Sequence, residues 1–308
     1  MTPLVKPAQD LHHAYRRRDL REALAALALA GPASALIFVF LIAPLVCIAL
    51  LSLTDYQLGA KALRFVGLHN YSEMFADRVF RRSLENTLIY VSVVVPLSVG
   101  LGLGAALLIE AGESLRAFYR TVYFLPVMAT LIAMAIVWEF ALHPNLGLVN
   151  LALKSIGVAG PDWLHDRHIV LYTLAGIGVW QSVGFNMVLF MAGLQAIPRD
   201  LYEAAAVDGV SNAWDRFRTV TWPMLGPVSL FVIVITAIRS FQVFDTVQVM
   251  TKGGPNRASE VLLYTMYSEG FEFFRTGYAA AVTMVFLAFV LALAALKTWF
   301  LDRRVHYA

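Results

Sequence analysis

The stretch Ile169-Val-Leu-Tyr-Thr-Leu-Ala-Gly-Ile-Gly-Val-Trp-Gln-Ser-Val-Gly-Phe-Asn-Met-Val-Leu-Phe-Met-Ala-Gly-Leu-Gln195 contains no Asp, Glu, Lys or Arg. A helix rises about 1.5 Å per residue, so roughly 20 apolar residues cross the hydrocarbon of a bilayer. This run is long enough. Five further runs of the same character lie at 32–53, 86–110, 121–141, 224–246 and 277–300. A membrane barrel would read instead as alternating segments of about ten residues. The pattern therefore predicts an all-α integral membrane protein of six transmembrane helices. One membrane domain covers 32–300, with short tails at 1–31 and 301–308.

Composition agrees with this. The chain is 59% hydrophobic and 15% charged, whereas a soluble domain is about 45–50% apolar and about 25% charged. Cys47 is the single cysteine and sits inside an apolar run, which excludes an internal disulfide and offers no thiolate or metal site. His12-His13, His165 and His168 have no second ligand set at metal spacing. The net charge of +3 is what membrane-flanking loops supply, so no nucleic-acid partner is expected.

The arginines at 16, 17, 18 and 21 precede an Ala/Leu stretch that is expected to break at Gly31-Pro32. A cleaved signal peptide would have a shorter apolar region and a small-residue cleavage site. An uncleaved anchor is the better reading, with the arginines as a topology signal. An even number of spans puts both ends on one side. That side would hold Lys6, the four arginines, Arg116, Arg120, Arg199, Arg216, Arg218, Lys297, Arg303 and Arg304. The other would hold Lys61, Arg64, Arg78, Arg81, Arg82, Lys154, Arg167, Lys252, Arg257 and Arg275. Thirteen against ten, weighted by the N-terminal cluster, places both termini in the cytoplasm.

After the fourth span runs Gln195-Ala-Ile-Pro-Arg-Asp-Leu-Tyr-Glu203-Ala-Ala-Ala-Val-Asp208-Gly209-Val-Ser-Asn-Ala-Trp-Asp-Arg-Phe217-Arg-Thr-Val-Thr-Trp-Pro223. Asp200 is placed to cap a short helix, Gly209 to end it in a left-handed conformation, and Ser211 to cap a second helix reaching Pro223. Ala204, Ala205 and Ala206 make the first helix slim enough for close approach by another protein. Glu203 and Asp208 offer charge-assisted contacts at its ends. A plain connector between spans would need neither feature.

This loop resembles the cytoplasmic signature loop of ABC-importer permeases, Glu-Ala-Ala, three residues, Gly, then a proline, matched here by Glu203-Ala204-Ala205, Gly209 and Pro223 with Phe217 between. Further likeness, to carbohydrate-type permeases of the maltose and glycerol-3-phosphate class, lies in Phe65-Val-Gly-Leu-His-Asn70-Tyr, Asn86-Thr87-Leu88, Phe124-Leu-Pro126, Gln195-Ala-Ile-Pro198, Phe244-Asp245 and Thr251-Lys-Gly-Gly-Pro255. The resemblance implies a type I ABC-importer permease fold in a bacterial inner membrane. It implies that residues 197–223 form a coupling helix docking on an ATPase through Glu203, Ala204, Ala205, Asp208 and Gly209. The implied partners are a second permease subunit forming a heterodimer, an ATPase dimer carrying ATP-Mg, an extracytoplasmic solute-binding protein, and a small solute of sugar, polyol or glycerol-phosphate type. The chain itself has no G-x-x-x-x-G-K-[ST] phosphate loop and is expected to bind no cofactor and to be no enzyme.

Polar side chains inside apolar spans are costly and point to a path or a pairing. The candidates for a solute path are Trp180, Gln181, Ser182 and Asn186 on span four, Arg239, Gln242, Asp245 and Thr246 on span five, and Glu139 on span three. At 100° per residue Arg239, Gln242 and Thr246 share a face, with Asp245 one step around. The same amides could instead pair helices. Trp138, Phe140, Trp299 and Tyr307 are expected at the membrane interfaces. An ion-coupled carrier using Glu139, Arg239 and Asp245 is the alternative. It predicts internal repeats and broken helices, which the hydropathy pattern does not display, and it leaves the 197–223 loop without a role.

Overall fold

The computed structural model describes residues 28–112 and 115–304, with side-chain environments through residue 295. The arginine run at 16–21, Lys6, His12, His13 and Tyr307 lie outside the described residues, as does the side chain of Trp299. In chain order the helices are α1 (Ala28–Leu51), α2 (His69–Ala76), α3 (Arg78–Ala111), α4 (Arg116–Met128), α5 (Leu131–Ala141), α6 (Leu148–Ser155), α7 (Val170–Gln195), α8 (Arg199–Val207), α9 (Ala213–Arg216), α10 (Trp222–Met224), α11 (Gly226–Phe241), α12 (Asp245–Met250), α13 (Leu262–Tyr267) and α14 (Thr276–Arg304). Among the described residues the only extended pairing is an isolated bridge between Thr54 and Phe65.

Five segments are long and apolar enough to cross a membrane: α1, α3, α7, α11 with α12, and the Thr276–Ala295 part of α14. The third expected span differs. It is two helices, α4 and α5, bent by 98°. Ala129 and Thr130 are extended at the joint, which ends the first helix and starts the second in a new direction. The fifth span is also interrupted, at Gln242 to Phe244, where Phe244 leaves helical geometry at φ −146°. The expectation of unbroken helices is thus corrected at two places, since a hydropathy pattern records which segments are apolar and not whether their backbone bends. Conversely, α1 runs through Gly31-Pro32 without the expected break. In an apolar segment every backbone group must be bonded within the helix, which outweighs the one bond Pro32 cannot make. Inside α1 a π-helical turn covers Phe38–Ile42.

The centre of the bundle is the pair α3 and α7, crossed by α11 and flanked by α4. The approach of α4 is close because Gly184 has no side chain; a Cβ there would strike the Tyr123 carbonyl. Two apolar clusters fill the centre of the bundle, and a third, of Met74, Phe80, Leu262, Tyr278 and Val282, lies beside the start of α3. Tyr90, Val94, Leu171, Leu174, Val247 and Val261 form one toward the start of α3 and α7, and Ala106, Met187, Phe190, Leu194, Leu225 and Val232 form the other toward their ends. Between them Asn186, at 0% exposure, donates to Ser98 Oγ (3.3 Å) and accepts from Thr236 Oγ1 (2.9 Å), tying α3, α7 and α11 at one level. Such bonds are worth about 0.6 kcal/mol each in membrane bundles.

The loops on the side where α3 and α7 begin are pegged by buried amides. Asn70 Nδ2 donates to the Ser52 and Thr54 carbonyls (both 2.8 Å). Asn86 Nδ2 donates to the Arg257 (3.0 Å) and Glu260 (2.8 Å) carbonyls, and Thr87 Oγ1 accepts from the Leu262 amide at 2.9 Å. Without these bonds the 251–262 segment would carry buried backbone groups with no partner. Arg275 adds an ionic brace, reaching Glu73 (2.5 Å) and Glu269 (3.1 Å). Burial pushes the Glu260 and Glu269 carboxyls up from their ordinary values, and Arg257 and Arg275 respectively oppose that shift.

Candidate functional site

Two features bear on function, and α7 and α11 connect them. The first is the surface element between those helices. Pro198 occupies the N-cap of α8, and Asp200, expected as the cap, lies in the first turn. There the carboxylate still faces the positive end of the helix, while the fixed φ of proline suits the entry position. Gly209 adopts φ +88°. Around it the Gly209 amide bonds the Ala206 carbonyl (3.1 Å) and the Val210 amide the Ala205 carbonyl (2.9 Å), the pattern of a glycine helix stop. Asn212, and not Ser211, caps α9: its Oδ1 accepts from the Asp215 amide at 2.7 Å. An amide carbonyl reaches that donor as well as a hydroxyl does. The second helix is short, passes through a π-helical turn at Phe217–Thr221 and reaches α10.

The element is held to the bundle on one face only. Tyr202 and Ala205 pack against the cluster that includes Ile197, Val220 and Leu225. Tyr202 Oη shares a hydrogen bond with Thr221 Oγ1 at 3.1 Å, and Arg216 lies over the Tyr202 ring at 5.7 Å. Phe217 stands between Trp214 and Trp222, at ring separations of 5.8 and 6.0 Å. The alanine face is therefore divided: Ala205 turns inward, while Glu203, Ala204, Ala206, Val207 and Asp208 point outward. Val207 on α8 is 88% exposed and Trp214 on α9 is 67% exposed, apolar side chains that sequence reading did not single out. The position of Val207 was readable from the spacing of α8, whose half-buried residues are Tyr202 and Ala205, whereas Trp214 lies on the separate α9.

The second feature is a cavity of about 320 Å³ inside the bundle, walled by α3, α7, the α4/α5 joint and the α11/α12 break. Gln181 and Ser182 line it from α7, and Arg239, Gln242, Asp245 and Thr246 from the broken span. An unbroken helix would set Asp245 aside from the others; the interruption at 242–244 removes that constraint and all four reach one space. Arg239 stacks over the Phe185 ring at 4.3 Å, a cation–π contact the sequence did not reveal because Phe185 lies on another helix. Thr246 Oγ1 is buried without a hydrogen-bond partner, and a buried hydroxyl in that state is available to a ligand or water. Asn186 does not line the cavity; its amide is consumed by Ser98 and Thr236. Trp180 stacks edge-on with Trp138 at 5.4 Å, outside the lining. Trp138, expected at the interface, packs against the core instead, because the bend after α4 folds α5 back toward α12. Glu139 is exposed and stands apart from the cavity.

The cavity presents amide, hydroxyl, guanidinium and carboxylate groups within apolar walls. Such groups pair with a hydroxylated solute and hold no metal-ligand set or nucleophile–base pair. Comparison with known proteins gives concordant results. Residues 98–307 match the family described as "Binding-protein-dependent transport system inner membrane component". The chain is 35% identical over 269 residues to "Probable ABC transporter permease protein YurN" of Bacillus subtilis, covering 86% of this chain and 91% of that one. It is 32% identical over 244 residues to the sn-glycerol-3-phosphate transport system permease protein UgpA of Agrobacterium fabrum, covering 79% and 83%. The fold matches a chain in the crystal structure of a bacterial alginate ABC transporter in complex with alginate pentasaccharide-bound periplasmic protein. The TM-score is 0.81 at 21% identity, over 93% of this chain and 96% of that one.

Proposed function

The chain belongs to the family of binding-protein-dependent transport system inner membrane components, and from that premise we propose that it moves a sugar, polyol or glycerol-phosphate-type solute inward under the control of a separate ATPase. The protein is an ABC transporter permease with the helical fold of type I importers. In the proposed assembly it pairs with a second permease subunit. An ATPase dimer binds ATP-Mg on the cytoplasmic side, and an extracytoplasmic binding protein delivers solute on the other.

The observation that carries this reading is the placement of α8. It projects Glu203, Val207 and Asp208 into solvent, is fixed to the bundle through Tyr202 and Ala205, and joins α7 and α11, whose side chains line the polar cavity. A push on α8 therefore reaches Gln181 and Ser182 through α7, and Arg239 through α11. Discrete shifts of packed helices are how such movement is transmitted. The proposal places α8 in the cytoplasm, with both termini on the same side of a bacterial inner membrane.

Uptake into proteoliposomes tests it. Transport should require the co-reconstituted ATPase, ATP and the binding protein, and should stop when the ATPase is omitted. Uptake driven by a proton or sodium gradient without ATP would overturn the proposal in favour of an ion-coupled carrier, to which the two helix breaks are also suited.

A further inference from the structure

On the side of the bundle opposite α8 lies a cavity of about 600 Å³, lined by Arg78, Arg82, Arg167, His168, Asn256 and Arg257 among others. It gathers side chains from three separate segments: the first turn of α3, the loop entering α7, and the loop after α12. The polarity of α3 and α7 fixes its side, since both helices run from this face toward α8.

The charge there is incompletely answered. Arg82 meets Glu85 at 2.9 Å and Arg257 meets Glu260 at 3.8 Å. Arg167 Nε donates to His168 Nε2 at 3.1 Å and meets no carboxylate, and Arg78 has no ion pair among the described residues. Asp77, at the start of α3, is already engaged by the Val79 amide (2.8 Å) and Tyr278 Oη (2.9 Å). The positive end of a 34-residue helix adds to the same wall. The loop carrying Arg257 is also fixed in shape. Asn256 and Arg257 are both left-handed, at φ 49° and 61°. Buried Asn86 holds the Arg257 carbonyl, and Ser259 Oγ donates to the Gly254 carbonyl and Thr251 Oγ1. Non-glycine residues persist in that conformation only where surrounding bonds hold them.

We propose that this outer cavity receives the phosphate or carboxylate of the transported solute, which makes the solute an anion. The inference rests on the importer reading above. Arginine forks bind the oxygens of such groups in pairs, and the volume suits a small solute. A second guanidinium, Arg239, lines the membrane cavity beyond it; Asp245 shares that cavity, and no ion pair joins the two among the described residues. The carboxylates of a docking protein are the rival occupant. A concave site of small-molecule size, followed by an inner arginine, favours the solute.

The assembled transporter in nanodiscs can be tested with phosphorus NMR, using inorganic phosphate and glycerol 3-phosphate as probes and glycerol as the neutral competitor. Wild type should broaden both phosphorus lines, glycerol should not reverse this, and R167Q/R257Q should weaken binding about tenfold. R167K/R257K, which keeps the charge but loses the paired donors, should bind more weakly than wild type and more tightly than R167Q/R257Q, and R81Q, outside the cavity, should match wild type. Equal binding by R167Q/R257Q and wild type would overturn the proposal. So would reversal by glycerol, or a variant that loses only the binding protein while phosphate binding stays intact. The readout needs no transport. ATP-driven uptake of a neutral solute with no phosphate binding would therefore refute the anion site alone, and arginine-dependent phosphate binding without any ATP-dependent uptake would refute the importer reading alone.

Discussion

Replacing Gly209 by valine isolates the turn between α8 and α9. Gly209 sits at φ +88°, and a Cβ built there meets nothing within 4 Å. The penalty is therefore one of backbone conformation, not collision. A left-handed backbone costs an ordinary residue about 1–2 kcal/mol, more for a β-branched one, and 1–2 kcal/mol is a factor of about 5–30 in a conformational equilibrium. Asparagine tolerates the same region far better. In proteoliposomes holding the permeases, ATPase and binding protein, G209V should reach the membrane and leave solute capture by the binding protein unchanged. Its solute-stimulated ATP hydrolysis and uptake should fall about 5- to 30-fold. G209N should recover most of both, and E203K, which reverses an outward charge on the same element, should uncouple without altering the turn. Wild-type coupling in G209V, or equal loss in G209N, would refute the assignment of α8 and its turn as the ATPase-docking element.

Single cysteines near Ser211 and near Asn256, in a C47S background, should label differently with an impermeant reagent in intact cells, only the second being reached from outside; equal outside labelling would contradict the topology. Gln181→Ala and Gln242→Ala should raise the solute concentration needed for half-maximal uptake while leaving binding-protein docking intact. Asn186→Ala should lower the melting temperature in detergent by the equivalent of about 0.6–1.7 kcal/mol, with uptake per folded molecule unchanged; the reverse pattern would move the path to the Asn186 level. Glu260 has a carboxyl pKa raised by burial, so its contribution to stability is present below the ordinary carboxylate value and declines as pH rises through the raised folded value. Melting curves across that range should therefore fall less steeply for E260Q than for wild type, and identical slopes would show that the carboxyl is solvated.

The sequence by itself determined the position of the apolar segments, the helical class and the surface element at 197–223. Each is a local property: run length, residue type, and a glycine where only a left-handed turn ends the helix. The polar candidates were legible as a set because any polar group in an apolar run is conspicuous. What each one does was decided only in three dimensions. Asn186 and Gln181 lie on the same helix in similar sequence surroundings, yet one is saturated by Ser98 and Thr236 and the other faces a cavity. The tertiary structure also decided the bend between α4 and α5, the break that lets Asp245 line the same cavity as Arg239, and the meeting of Arg78, Arg167 and Arg257 at one mouth. These depend on which helices pack together and at what angle, and hydropathy carries no information about either. A one-dimensional pattern specifies which groups must leave water, whereas their partners are set by contacts between residues far apart in the chain.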